Sequence, residues 1–136
     1  MIKPVKEDNI QKQIIQYSKR KKIMIFAPIN ENIWSGILRV ILIGAIGKAR
    51  GVQVAGRAIA SIVNRNKSMG QRKGVSDLIV IIKDATLFIE VKTLVGKMSP
   101  EQNTFKEDVE SRGHVYYVVR SLDDYIEIIE RHKRHD

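Results

Sequence analysis

Apolar residues along this chain recur at two periods, one near 3.6 and one near 2, and the switching between them outlines the elements. Ile10, Ile14 and Tyr17 fall at spacings of four and three among Lys and Gln, which predicts a helix over about residues 6–19. The basic run Lys19 to Lys22 ends it. Ile23 to Ala27 is a short β candidate, stopped by Pro28 and the Asn30-Glu31-Asn32 cluster. Residues 33–47 fit both periods. Trp34, Ile37, Leu38, Ile41 and Ala45 make a helical stripe, whereas Val40 to Ile43 also reads as a buried strand; the helix is favoured. Over about residues 52–67 a further helix sets Ala55, Ile59, Ile62 and Val63 on one side and leaves Arg57, Arg65 and Lys67 to solvent.

The second half alternates more regularly. Gly70 to Gly74 is a loop. Asp77–Lys83 and Thr86–Lys92 are β-branched runs joined at Asp84-Ala85, a predicted hairpin. After a loop at Gly96, Ser99-Pro100-Glu101-Gln102 carries the signs of a helix start: Ser as N-cap, Pro at the first position and Gln at the third. That helix runs to about Arg112 and Gly113 closes it. His114 to Arg120 is a strand, and Ser121 caps a last helix with Asp123 and Asp124 in its first turn and Arg131, Lys133 and Arg134 near its end. The order predicts an α/β fold with a small mixed sheet flanked by helices, in a single domain over residues 1–136.

Charge narrows the class of partner. The chain has 136 residues and a formal net charge of +9. Residues 1–31 are net +4, residues 77–136 are net −3, and residues 32–76 hold 8 Lys or Arg with no acid at all. A solvated surface ordinarily mixes both signs. The unmixed run contains Arg39, Lys48, Arg50, Arg57, Arg65, Lys67, Arg72 and Lys73, and it fits contact with a phosphate backbone. Trp34 is its one aromatic residue, so backbone and shape readout of a duplex or branched structure fits better than stacking on unpaired bases. The absence of Cys excludes a disulfide framework, a thiolate zinc site and a Cys nucleophile. The most apolar stretch, Ile33 to Gly47, is shorter than a spanning helix and is interrupted by Arg39. The first residues lack the apolar core of a signal peptide, so a soluble cytoplasmic protein is expected, away from membranes.

One group of residues has the makings of a reactive site. Asp77 opens the first hairpin strand, and Glu90 and Lys92 end the second. Residues two apart leave the same face of a strand, so two carboxylates and an ammonium converge at one edge of the sheet. Phosphodiester hydrolysis needs a cation to neutralise phosphate and to yield hydroxide near neutral pH. Carboxylate oxygens suit Mg²⁺, and two close carboxylates repel each other until a cation joins them. A lysine alongside can orient water or offset charge on phosphorus. By itself E-x-K is too short to be specific and is more simply the pattern of an ion-paired hairpin. His114, His132 and His135 have no ligand-like spacing with these acids, and a solvated tail is the simpler reading of the last two.

Three segments together resemble the VRR-NUC (virus-type replication-repair nuclease) family of the PD-(D/E)xK nuclease superfamily. They are Gly74-Val75-Ser76-Asp77-Leu78-Ile79-Val80, Ile89-Glu90-Val91-Lys92-Thr93 and Gly96-Lys97-Met98-Ser99-Pro100-Glu101-Gln102. Glu7 with Ile10-Gln11, Pro28, Asn30, Gly113, Tyr117 and Arg120 to Asp124 extend the likeness, which leaves out roughly residues 33–60. Ser76 stands where the superfamily pattern has Pro.

The resemblance implies a restriction-endonuclease-like core and an Mg²⁺- or Mn²⁺-dependent endonuclease. Asp77 and Glu90 would bind the metal with the backbone carbonyl of Val91, and Lys92 would be the catalytic lysine. Gln102 would position water or substrate; it can also be read as only the partner in the helix cap. Glu7 would be a water-mediated metal ligand or the ligand of a second metal, or simply a first-turn helix acid. Small members of the family imply homodimeric enzymes of virus origin, working in the host-cell cytoplasm on branched DNA such as a four-way (Holliday) junction. Residues 33–47 are the candidate subunit interface. Two rivals remain: a nucleic-acid-binding protein without catalysis, and a nuclease subunit active only within a larger repair or restriction complex.

Overall fold

The structure, a computed structural model, describes residues 5–28, 37, 40–41 and 43–134. Expectations that rest on Asn30, Trp34, Leu38, Arg39, Leu42 and His135 lie outside the described residues. The chain forms two compact units, Met1–Pro28 with Gly74–Asp136, and Ile29–Lys73.

The first unit contains the sheet. Helix α1 (Glu7–Arg20) begins with Glu7 and Asp8 and ends with Lys19 and Arg20, both favourable to the helix dipole. Lys22 then takes a left-handed φ of 56° and the Ile23 N–H bonds the Ser18 carbonyl at 2.9 Å. That turn feeds the chain into β1 (Met24–Phe26). Strands β2 (Leu78–Ile82) and β3 (Ala85–Val91) form a hairpin closed by Lys83-Asp84, one position earlier than the predicted Asp84-Ala85. The sheet order is β1-β2-β3-β4, where β4 is Val115–Val119. The first three strands are antiparallel, and β4 lies parallel to β3. A parallel neighbour needs a crossover, and α3 (Pro100–Ser111) supplies it.

The two faces of the sheet bury different residues. On one face Leu78, Val80, Leu87, Ile89, Val91 and Val119 pack against Ile10 and Ile14 of α1 and against Tyr125, Ile128 and Ile129 of α4 (Leu122–Lys133). Ser18 and Tyr125 are buried within this core and satisfy each other through a 2.8 Å hydrogen bond. On the other face Phe88, Tyr116 and Val118 meet Phe105 and Val109 of α3. This second cluster is smaller, and the residues of interest border it.

In the second unit α2 (Lys48–Ser68) starts four residues before the expected position 52. Gly47, at a φ of 83°, separates it from helical backbone at residues 43–46, and the Gly51 N–H bonds the Gly47 carbonyl. A glycine there turns the chain between two helices, where a strand had been the alternative. Ala55 is buried, Ile59, Ile62 and Val63 are half-buried, and Arg57, Arg65 and Lys67 are exposed, as the periodicity requires. Among the described residues no helix is long and apolar enough to cross a membrane.

Gly74 and Gly113 both have left-handed φ values, 75° and 79°. A Cβ on Gly113 meets nothing within 4 Å, whereas one on Gly74 would overlap the Glu101 carbonyl and come within 2.7 Å of the Gln102 nitrogen. Gly113→Ala should therefore cost only backbone strain, about 1–2 kcal/mol. Gly74→Ala should cost roughly 1–3 kcal/mol more, because the start of α3 must shift. Urea denaturation of the two variants checks the ranking, and equal losses would show that α3 yields freely at that point.

Candidate active site

Hairpin register sets the site. Leu78 pairs with Ile89, so continuing the ladder by one residue puts Asp77 opposite Glu90. Opposed residues share a face, as do positions 90 and 92. The lead-in is fixed by Ser76, buried, whose hydroxyl donates to the Leu78 carbonyl at 3.2 Å. Asp77 Oδ2 accepts the Val91 N–H at 2.8 Å. In an extended strand the N–H and C=O of one residue leave on the same side. The Val91 carbonyl therefore lies on the Asp77 side, while the next N–H, Lys92, bonds Val119 of β4 at 3.0 Å.

Glu90 has no exposed surface. Its Oε1 accepts from Gln102 Nε2 at 2.5 Å and from Lys92 Nζ at 2.9 Å, and its Oε2 accepts from the Tyr116 hydroxyl at 3.3 Å. The two readings of Gln102 prove compatible. Its Oε1 accepts the Ser99 N–H at 2.8 Å and its own N–H bonds Ser99 Oγ at 3.2 Å, which completes a capping box. With the amide oxygen held there, the amide nitrogen must face Glu90. The cap of α3 and the orientation of Glu90 thus use opposite ends of one side chain.

Glu7 reaches the same corner from α1. Its Oε1 accepts the Thr93 N–H at 3.4 Å, and its charge acts on both Asp77 and Lys92. Arg120, at the end of β4, donates through Nη1 to the carbonyls of Thr93 and Gly96, fixing the turn that follows Lys92. Asp77, Glu90, Lys92, Gln102, Glu7 and the Val91 backbone are therefore gathered in one place. Lys48, Arg50, Arg57, Arg65, Lys67, Arg72 and Lys73 are all exposed, and all belong to the other compact unit. His114 packs edge-on to Phe88, and His132, half-buried in α4, meets the Tyr117 hydroxyl at 3.1 Å. His132 is thus a packed helix residue, in contrast to the expected solvated tail.

Tyr116 escaped the sequence reading. Its hydroxyl meets Glu90 only because β4 runs parallel to β3 with Phe88 against Tyr116 and Glu90 against Val118. The alternation of β4 marks residues 116 and 118 as sharing a face, but the partner strand and its register decide what that face meets.

Electrostatics make this an unrelieved acidic pair. Burial pushes the Glu90 carboxyl up to about 7, and the charge of Asp77 adds to the rise against the opposing pull of Lys92. Burial likewise raises Asp77, with the Val91 N–H and Lys92 opposing it. Burial acts to lower Lys92, but its bond to Glu90 and the surrounding carboxylates outweigh that and leave it above its ordinary value, an ammonium. Among the described residues no group of three or more His, Cys, Asp or Glu is arranged as a metal site. Mg²⁺ needs no such cage, since it keeps several waters and takes one or two carboxylates. Asp77, Glu90 and the Val91 carbonyl are the hard oxygen donors it takes, and a cation would relieve the charge that burial penalises.

A mixed four-stranded sheet flanked by helices, with an acid opening one hairpin strand and Glu-x-Lys closing the next, is the frame of a PD-(D/E)xK nuclease. The VRR-NUC domain matches residues 45–123, more than half of the sequence, and the chain belongs to that family. The match starts inside the segment 33–60 that the resemblance had left out, and it stops at the start of the last helix. A solved structure of a VRR_NUC domain protein is similar over 96% of this chain and 89% of its own, with a TM-score of 0.64 and 20% identity, a likeness of fold. No curated protein matches. Family membership makes the chain a nuclease-type domain whose substrate is DNA.

A pH signature follows from Glu90. The folded protein holds its proton up to about pH 7, whereas the unfolded chain releases it near 4.5. Between those values the folded state binds more protons, so stability falls as pH rises. Metal-free protein, kept so with chelator, should be more resistant to urea at pH 5 than at pH 8. Glu90→Gln should flatten that slope. An equal slope in both proteins would mean that Glu90 titrates normally.

Proposed function

We propose that this chain is an Mg²⁺- or Mn²⁺-dependent endodeoxyribonuclease, selective for branched duplex such as a four-way junction and working as a homodimer. The observation that carries the catalytic reading is the pairing of Asp77 with a fully buried Glu90 beside Lys92. Asp77, Glu90 and the Val91 carbonyl would hold the cation, and Glu7 stands ready as a further, water-mediated donor. When bound, the cation supplies charge neutralisation of the phosphate and a more acidic water. Lys92, held as an ammonium beside Glu90, would donate hydrogen bonds and positive charge to the phosphate oxygens. Gln102 keeps Glu90 from turning away. The exposed cations of α2 and of the loop at Arg72-Lys73 would hold the DNA backbone without reading bases. Selectivity for branched DNA rests on that basic run, poor in aromatics, and on the family resemblance.

Two tests follow. Cleavage of linear duplex, single strand, flap and four-way junction, each with Mg²⁺ and with Mn²⁺, should be fastest on the junction and absent with chelator. Lys92→Ala, Asp77→Ala and Glu90→Ala should each lose about 10²–10³-fold or more in rate, the scale of deleting one transition-state contact, while junction binding survives. Cutting by the Asp77 or Glu90 variant at the normal rate would remove the site assignment, and binding without cutting by the wild type would favour a non-catalytic DNA binder. Val40, Ile41 and Ile46 are exposed in the second unit, an apolar run that a second copy would cover. Light scattering should therefore give a dimer mass, and Val40→Glu with Ile41→Glu should give a monomer; a monomeric wild type would refute the dimer.

A further inference from the structure

A carboxylate has about four acceptor positions, two on each oxygen. On Glu90 both positions of Oε1 are taken, by Gln102 and Lys92, and one on Oε2 is taken by Tyr116. The fourth position, on Oε2, is the one left for Asp77, whose side chain hydrogen-bonds Glu90 in the metal-free protein; a cation between the two carboxylates would take the place of that bond. The Tyr116 hydroxyl shares that oxygen, so it sets the direction in which the remaining position points. The ring that carries the hydroxyl is itself fixed: Tyr116 is 6% exposed and sits edge-on to Phe105 with centroids 6.2 Å apart, in the small cluster beneath α3. Ring packing explains an aromatic residue here, but not a hydroxyl. A phenylalanine would fill the same space without bringing a polar group into an apolar cluster.

We propose that Tyr116 is a positioning residue of the nuclease site, its hydroxyl fixing the rotation of the Glu90 carboxylate so that the remaining acceptor position on Oε2 is turned toward Asp77, where the two carboxylates would hold a divalent cation. This rests on the metal-dependent reading above. Gln102 and Lys92 grip one oxygen and leave the carboxylate free to swing about it; Tyr116 removes that freedom by engaging the other. Three donors from three elements (α3, β4 and the residue after β3) then hold Glu90 in one orientation.

The test is Tyr116→Phe, with Phe105→Leu as a control that disturbs the same cluster and leaves the hydroxyl. Ca²⁺ and Mn²⁺ binding to the full chain is measured by calorimetry without DNA, and the Mg²⁺ dependence of junction cleavage is measured alongside. Tyr116→Phe should fold normally and bind the cation about 10-fold or more weakly, the usual scale for losing a partner of a metal-ligating side chain. Its Mg²⁺ activation curve should shift by the same factor and approach the wild-type rate at saturating metal. Phe105→Leu should bind metal as the wild type does. Unchanged cation affinity in Tyr116→Phe, with normal binding and cleavage by the wild type, would overturn this role and leave the metal-dependent reading standing. Equal weakening in both variants would assign the effect to packing and also overturn it. A wild type that binds no divalent cation would overturn both.

Discussion

A carboxylate with no exposed surface must have its charge answered inside the protein, and Glu90 sets that requirement here. Three donors answer it, and each comes from a different element. Lys92 is two residues along the same strand, Gln102 is on the helix that follows, and Tyr116 is on the strand that the helix leads to. The crossover from β3 through α3 to β4 is thus tied together at its origin by one side chain. Even with Lys92 and the Tyr116 hydroxyl opposing the rise, Glu90 is pushed well above an ordinary carboxyl, because burial and the nearby Asp77 outweigh them. The site therefore stores an electrostatic tension, which a cation would relieve on the proposed metal-dependent reading.

The scaffold around this point is arranged to hold it still. One face of the sheet carries the large apolar core with α1 and α4, which needs nothing from the site. The other face divides between a small aromatic cluster and the polar group, so the cluster sets the height of α3 over Glu90. Ser99 starts α3 at the right place, and the capping box spends the amide oxygen of Gln102 so that its nitrogen is directed inward. Gly74 lets the incoming chain pass close under that same helix start. A helix terminus normally costs unsatisfied backbone groups; here its satisfaction and the support of Glu90 are one arrangement.

Much of this was legible in the sequence, because periodicity and turn chemistry are local. The helix starts at Ser99 and Ser121, the stop at Gly113 and the hairpin itself follow from residues close together in the chain. The hairpin turn was placed one residue late, at Asp84-Ala85, and the error was harmless for an instructive reason. Moving a two-residue turn by one position changes the pairing by two, from Asp77 opposite Lys92 to Asp77 opposite Glu90. A two-residue slip preserves which side chains share a face. The grouping of Asp77, Glu90 and Lys92 thus survived, while their detailed neighbours changed. Tyr116 was not legible, because its role depends on the register of a parallel pairing across a crossover. Over 33–47 the pattern favours helix over strand only weakly, since a run apolar on all sides carries little period; its described residues before Gly47 are helical, and that glycine decides the break.

The pairing of β1 with β2 has one more consequence. Phe26 lies beside Ile79, so the chain leaves the sheet after β1 and returns to it one strand over, with the whole of residues 29–73 strung between neighbouring points. Such an excursion is closed at both ends by a ladder of backbone bonds that does not involve its own sequence. Lengthening it would raise the closure entropy only logarithmically, about 0.6 kcal/mol for each doubling. By closure entropy alone the basic insert could therefore change in length at little cost to the hairpin that holds Asp77 and Glu90. On the proposed reading, the residues that would do the chemistry and those that would hold DNA are then joined through two attachment points in the chain and could change in length separately.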